Sequence, residues 1–163
     1  MTLPPPLVRK TLLILTAGVA IVWALLVVLS QRPGEVGLVH GALQGCEDPD
    51  RAIGSQIAAA DARVDPLYVG PDLDRAWAQL EALIERGGPM QLRAADHDWM
   101  ALTWRSMPWG ITDDIEVLRL QGAGILHVRS ASRLGALGFG THRTALEHLR
   151  NQLSQAMAET DGP

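Results

Sequence analysis

MQLRAADHDWMALTWRSMPWGITDDIEVLRLQGAGILHVRSAS, residues 90–132, decides the fold of this chain. It holds four short runs with β-like alternation: MQLRAA, WMALTWRS, DIEVLRL and ILHVRSAS. Polar or glycine-bearing turns separate them, at Asp96-His97-Asp98, at Met107-Pro108-Trp109-Gly110 and at Gln121-Gly122-Ala123-Gly124. Side chains of a strand alternate between its two faces, and short links between successive strands force them antiparallel, so the stretch predicts a meander. With Gly122-Ala123 at the tip of a two-residue hairpin, Glu116 falls opposite Arg129 and Val117 opposite Val128. That register puts an ion pair on one face and an apolar pair on the other.

Helical periods flank the strands. Before them, Asp72 fits an N-cap, Leu73, Ala76, Trp77, Leu80, Leu83 and Ile84 recur at helical spacing, and Gly87-Gly88-Pro89 ends the run. After them, Thr144 and Glu147 fit a capping box, and Leu146, Leu149, Leu153 and Met157 form an apolar stripe. The expected architecture is an α+β domain over residues 52–160, an antiparallel meander with two helices packed on one face. Residues 65–69 read as a short strand, residues 52–64 as either a short helix or an extended arm, and residues 32–51 as a linker.

Farther out, residues 11–30 read TLLILTAGVAIVWALLVVLS, with no charge between Lys10 and Arg32. Twenty helical residues cover about 30 Å, the thickness of a hydrocarbon core, so the segment 11–31 predicts a single transmembrane anchor. The competing readings are a cleavable signal peptide, whose apolar region is usually shorter, and a buried core helix, which is rarely this long and apolar on every face in a soluble domain of this size. Arg9, Lys10 and the amino terminus outweigh Arg32. This leaves residues 1–10 as a short cytoplasmic tail, makes the anchor a signal-anchor in the inner (cytoplasmic) membrane, and sends the domain outward.

Residues 33–163 carry all 18 acidic side chains and 11 of the 14 basic ones, a formal −7 that argues against a nucleic-acid partner. Five arginines nevertheless face only Glu147 between Arg119 and Arg150. A lone cysteine, Cys46, excludes an internal disulfide, and Glu47, Asp48 and Asp50 around it would blunt a thiolate.

TDDIEV (112–117) followed by ILHVRSASRLGALGFGTHR (125–143) resembles the signature of the domain of unknown function 1499 family, over about residues 65–150. Asp113, Asp114, Glu116, Arg129, Ser130, Ser132, Arg133, Gly135, Gly140 and Arg143 carry the resemblance. Gly138 stands where an aspartate is expected and His142 where an asparagine is, and the Pro-Asn-Cys-Val stretch is not recognisable around Cys46. The resemblance implies a fold and a bacterial or plastid envelope setting, and no activity.

Among candidate groups, Asp114 and Glu116 share a strand face and Asp113 points away, so at most two carboxylates converge. Ion pairing with Arg129 and Arg133 is the expected role of Asp113, Asp114 and Glu116. His142 and His148 are six residues apart, which is not the spacing that grips one zinc ion. Ser130 and Ser132 lack a nucleophile elbow. No metal, cofactor or catalytic residue is therefore expected. Trp77 reads as core, while one or two of Trp99, Trp104 and Trp109 could reach lipid headgroups or a partner protein. The loop 135–140 leads into the last helix, and Arg133, Gly138, Gly140, His142 and Arg143 form a candidate site for an anion such as a lipid phosphate. Two functions follow. One is a membrane-anchored accessory or binding module, touching the bilayer through residues 11–30 and engaging a membrane complex or an anionic lipid. The other is an envelope enzyme using Asp113, Asp114 or Glu116 for acid/base chemistry while Arg129, Arg133 and Arg143 hold an anionic substrate.

Overall fold

The alternation of residues 90–132 becomes four antiparallel strands, β5 (Met90–Ala95), β6 (Trp99–Arg105), β7 (Thr112–Leu120) and β8 (Ile125–Ser132), each paired with the next. The computed structural model describes residues 5–46, 48–122 and 124–160. Glu116 pairs with Arg129 and Val117 with Val128, the register that a two-residue hairpin dictates, although the tip residue Ala123 lies outside the described residues. Upstream, β1 (Leu38–Val39) and β2 (Ala42–Leu43) form a small hairpin, and β3 (Ala52–Gly54) and β4 (Leu67–Tyr68) both pair with β8. The main sheet has six strands in the order β3-β8-β7-β6-β5, with β4 on the far end of β8. Residues 52–64 are thus the extended arm and not a helix.

One face of the sheet is covered by α2 (Leu73–Glu85) and α3 (Thr141–Thr160). Asp72 caps α2 by accepting from the Arg75 amide at 3.0 Å, and Gly87 takes a positive φ just past the helix end. The stripe of α2 meets Leu146, Leu149 and Leu153 of α3 together with Leu102, Trp104, Ile115, Val117, Leu126 and Val128 of the sheet, forming one continuous core. Thr144 is not a cap. Helix α3 begins three residues earlier, where the Arg143 amide already donates to the Gly140 carbonyl, so Thr144 lies inside the first turn.

The N-terminal helix α1 (Pro6–Ser30) is 25 residues long, apolar and unburied apart from its end, long enough to cross a bilayer once. It starts before the expected span because Pro6 is pre-set for a first helical turn. Residues 1–4 of the expected tail lie outside the described residues. The segment after α1 is more than a spacer, since it runs across the sheet face opposite the helices.

Candidate functional site

Alternation along β7 sorts three neighbouring carboxylates onto two faces, and each face has its own chemistry. On the face away from the helices, Glu116 is fully buried and accepts from Arg129 Nη1 at 2.5 Å, from the Gly37 amide at 2.7 Å and from Trp99 Nε1 at 3.2 Å. Asp114 accepts from Arg133 through Nε at 2.9 Å and Nη2 at 2.6 Å, a forked pair, and from Arg93 Nη1 at 3.0 Å. Arg93 reaches it because the β5–β6 register shifts between Leu92 and Ala94, leaving Arg93 as the extra residue of a bulge. Arg93 also donates to the Gly34 carbonyl at 2.7 Å, and a Cβ at Gly34 would collide with the Asp114 carboxylate, so the chain after α1 passes directly over this pair. Beside it lies a polar cleft of about 380 Å³ lined by Arg51, Arg129, Arg133, Asp114 and Cys46. Arg129 Nε is buried there without a partner. Glu47, beside Cys46, lies outside the described residues.

Asp113 lies on the helix-covered face, opposite Trp104 on one neighbour and Ser132 on the other. The sequence predicts an ion pair for it, and it forms none among the described residues. Both carboxylate oxygens are buried with no hydrogen-bond partner, because the arginines project from the other face. Burial, with a smaller push from the Asp114 charge, raises its pKa to about 6. The Thr141 hydroxyl and the Arg133 amide offset part of this without reaching hydrogen-bond geometry. Trp104 Nε1 and Thr141 Oγ1 are likewise buried and unpartnered.

The five residues of the candidate anion site do not converge. Arg133 is committed to Asp114 and donates through Nη1 to the Ser30 carbonyl at 3.1 Å. Gly138 is buried beneath Ser132, whose hydroxyl a Cβ would strike, so this chain has no room for the aspartate of the family pattern without moving Ser132. His142 is buried, its Nε2 donating to the Pro49 carbonyl at 3.0 Å, and burial lowers its pKa. Gly140 and Arg143 are exposed at the start of α3. Among the described residues no cluster of His, Cys, Asp and Glu is arranged to hold a metal ion.

Sequence reasoning missed the junction between α1 and the domain. Ser30 is buried, its Oγ accepting from the Thr112 amide at 3.1 Å, while Gln31 and Thr112 exchange side-chain hydrogen bonds at 3.0 and 3.3 Å. Farther down α1, Trp23 meets Trp109 edge-on at 5.4 Å between ring centroids and stacks with Phe139 at 6.4 Å. Met107, Trp109, Leu137 and Phe139 are all more than half exposed. The one available signal was the density of apolar residues in two loops, MPWG and ALGF, where turns are normally polar.

No curated protein and no solved structure matches this chain. Residues 42–153 match the family described as protein of unknown function DUF1499, beginning upstream of the resemblance seen in the sequence and taking in β2, Cys46 and the arm. That match spans more than half of the chain, and the protein belongs to the DUF1499 family.

Proposed function

We propose that this protein is a single-pass, non-catalytic binding module whose domain lies on the extracytoplasmic side of the cytoplasmic membrane, seated on the bilayer surface. The junction carries this reading. A domain on a free tether would leave the end of its anchor solvated, yet here Ser30 and Gln31 are hydrogen-bonded to Thr112, and Arg133 closes on the Ser30 carbonyl. The Ser30 contacts speak for a retained helix, since cleavage after Ser30 would remove them. Arg9 and Lys10 against Arg32 set the orientation. The acid/base alternative loses Asp114 and Glu116, which are held by guanidinium groups, and is left with Asp113 alone. A second reading, capture of a small anion in the cleft of Arg51 and Arg129, is favoured by the unpartnered Arg129 Nε.

Protease added to intact spheroplasts expressing a C-terminally tagged chain tests the topology. Digestion of the domain with retention of a membrane-bound stub is the expected result. Protection until the membrane is broken would reverse the orientation, and a tagged domain in the soluble fraction would replace the anchor by a cleaved leader.

A further inference from the structure

A cavity of about 420 Å³ lies between α1 and the domain, within the size range of small-molecule sites. Trp23, Trp109 and Phe139 form one side, Trp104, Ile111 and Thr141 the other, and no charged side chain lines it. Trp23 precedes Ser30 by seven residues, which at 1.5 Å per residue places it about 10 Å back along the apolar helix. The cavity wall therefore stands at acyl-chain depth in a seated molecule. An apolar groove along α1, lined by Leu15, Val19 and Ala20, shares Trp23 and Trp109 with the cavity and continues it toward the bilayer centre.

Polar atoms wait at the other side. Trp104 and Thr141 are each at least nine-tenths buried, and the indole N–H of one and the hydroxyl of the other have no partner. Buried donors left unmet are uncommon because they forfeit their hydration, and such groups mark places where a ligand completes the network. Asp113, paired with Trp104 across the β6–β7 ladder, is close to Thr141 but outside the cavity lining. Phe139 holds φ +53°, a conformation rare for a bulky side chain, with its ring exposed and stacked on Trp23.

We propose that this cavity binds one uncharged, hydroxyl-bearing lipid drawn laterally from the bilayer, its chain along the α1 groove and its hydroxyl between Trp104 and Thr141. A hydroxyl accepts from the indole N–H and donates to the Thr141 oxygen, a pair of bonds that no ester or methyl group makes. An anionic head would find no cation in the wall to replace its hydration. The proposal rests on the membrane-seated reading and deepens it.

The full chain is reconstituted in phosphatidylcholine vesicles carrying a trace of monoacylglycerol with a photoreactive group on its chain. Parallel samples carry the fatty acid of the same chain and the monoacylglycerol with both hydroxyls acetylated. The expected result is crosslinking of the free monoacylglycerol to peptides of α1 and of the loop with Trp109, about tenfold above the acetylated probe, the worth of one lost hydrogen bond. Thr144 lines the cavity and is exposed on α3, so Thr144→Phe fills the space without touching the core and should abolish the preference, whereas Thr144→Ser should keep it. Equal labelling by all three probes, or labelling indifferent to Thr144→Phe, overturns the proposal. Alkaline extraction of the same vesicles separates the two failures, because release of the chain overturns the membrane-seated reading and the lipid site with it.

Discussion

Asp113 and Asp114 are adjacent and chemically identical, and a β-strand gives them opposite environments. Asp114 meets three guanidinium nitrogens, and Asp113 meets none. The folded pKa of Asp113 is about 6 against an ordinary 3.8, so the folded state holds a proton that the unfolded chain releases between those values. Stability therefore falls as pH rises from 3.8 to 6 and stays lower above it, by roughly 3 kcal/mol at 1.36 kcal/mol per unit. Asp113→Asn should raise the Tm of the detergent-solubilised chain at pH 8, with the gain vanishing near pH 4; a loss at every pH would mean that the charge has a partner. For the buried pair on the other face, Glu116→Gln or Arg129→Met alone should each cost about 3–5 kcal/mol in urea unfolding, and the double variant should recover most of that, since the penalty is the orphaned charge. The face of each carboxylate was legible in the sequence, because strand alternation needs no tertiary information. That Asp113 stays without a partner was not, because its surroundings depend on where α3 begins, and a capping box at Thr144 would start the helix at Ala145, four positions past the observed Thr141.

Elements lock to one another here through single residues with several jobs. Arg119 on β7 donates to Asp98 at 2.6 Å, to Asp74 of α2 at 2.8 Å and to the His97 carbonyl at 3.1 Å, and its guanidinium lies 5.1 Å from the Trp77 ring. It clasps α2, the β5–β6 turn and the end of the inner strand β7 together. Both acidic partners remain partly solvated, so Arg119→Ala should cost only about 1–2 kcal/mol, mostly lost packing over Trp77 and the bond to His97. The hydrogen bond from Arg119 holds Asp98 below its ordinary pKa, and in the variant an NMR titration should show Asp98 returning upward. Helices and strands were legible as periods, and α2 emerged with its cap and stop in place. The arm at residues 52–64 and the hairpin β1–β2 carry no period of their own, since both exist only by pairing or lying against other elements.

For the whole molecule, the membrane reading turns on how closely an acidic domain can sit on a bilayer. A formal −7 over residues 33–163 gives no electrostatic pull toward anionic headgroups, so the contact must be apolar. Met107, Trp109, Leu137 and Phe139 supply it, exposed apolar side chains of the domain of which Trp109 and Phe139 lie against Trp23 of α1. Trp109 touches Trp23 inside the span, so in a seated molecule its ring lies below the headgroups, where an indole with one polar edge is at home. Of the five tryptophans, Trp109 can be isolated as the difference in fluorescence between the parent chain and Trp109→Phe. That difference signal should be blue-shifted, quenched by phospholipids brominated at shallow chain carbons more than at deep ones, and shielded from aqueous iodide. Iodide quenching without bromine quenching would show the domain standing off the bilayer, with the anchor as its only membrane contact.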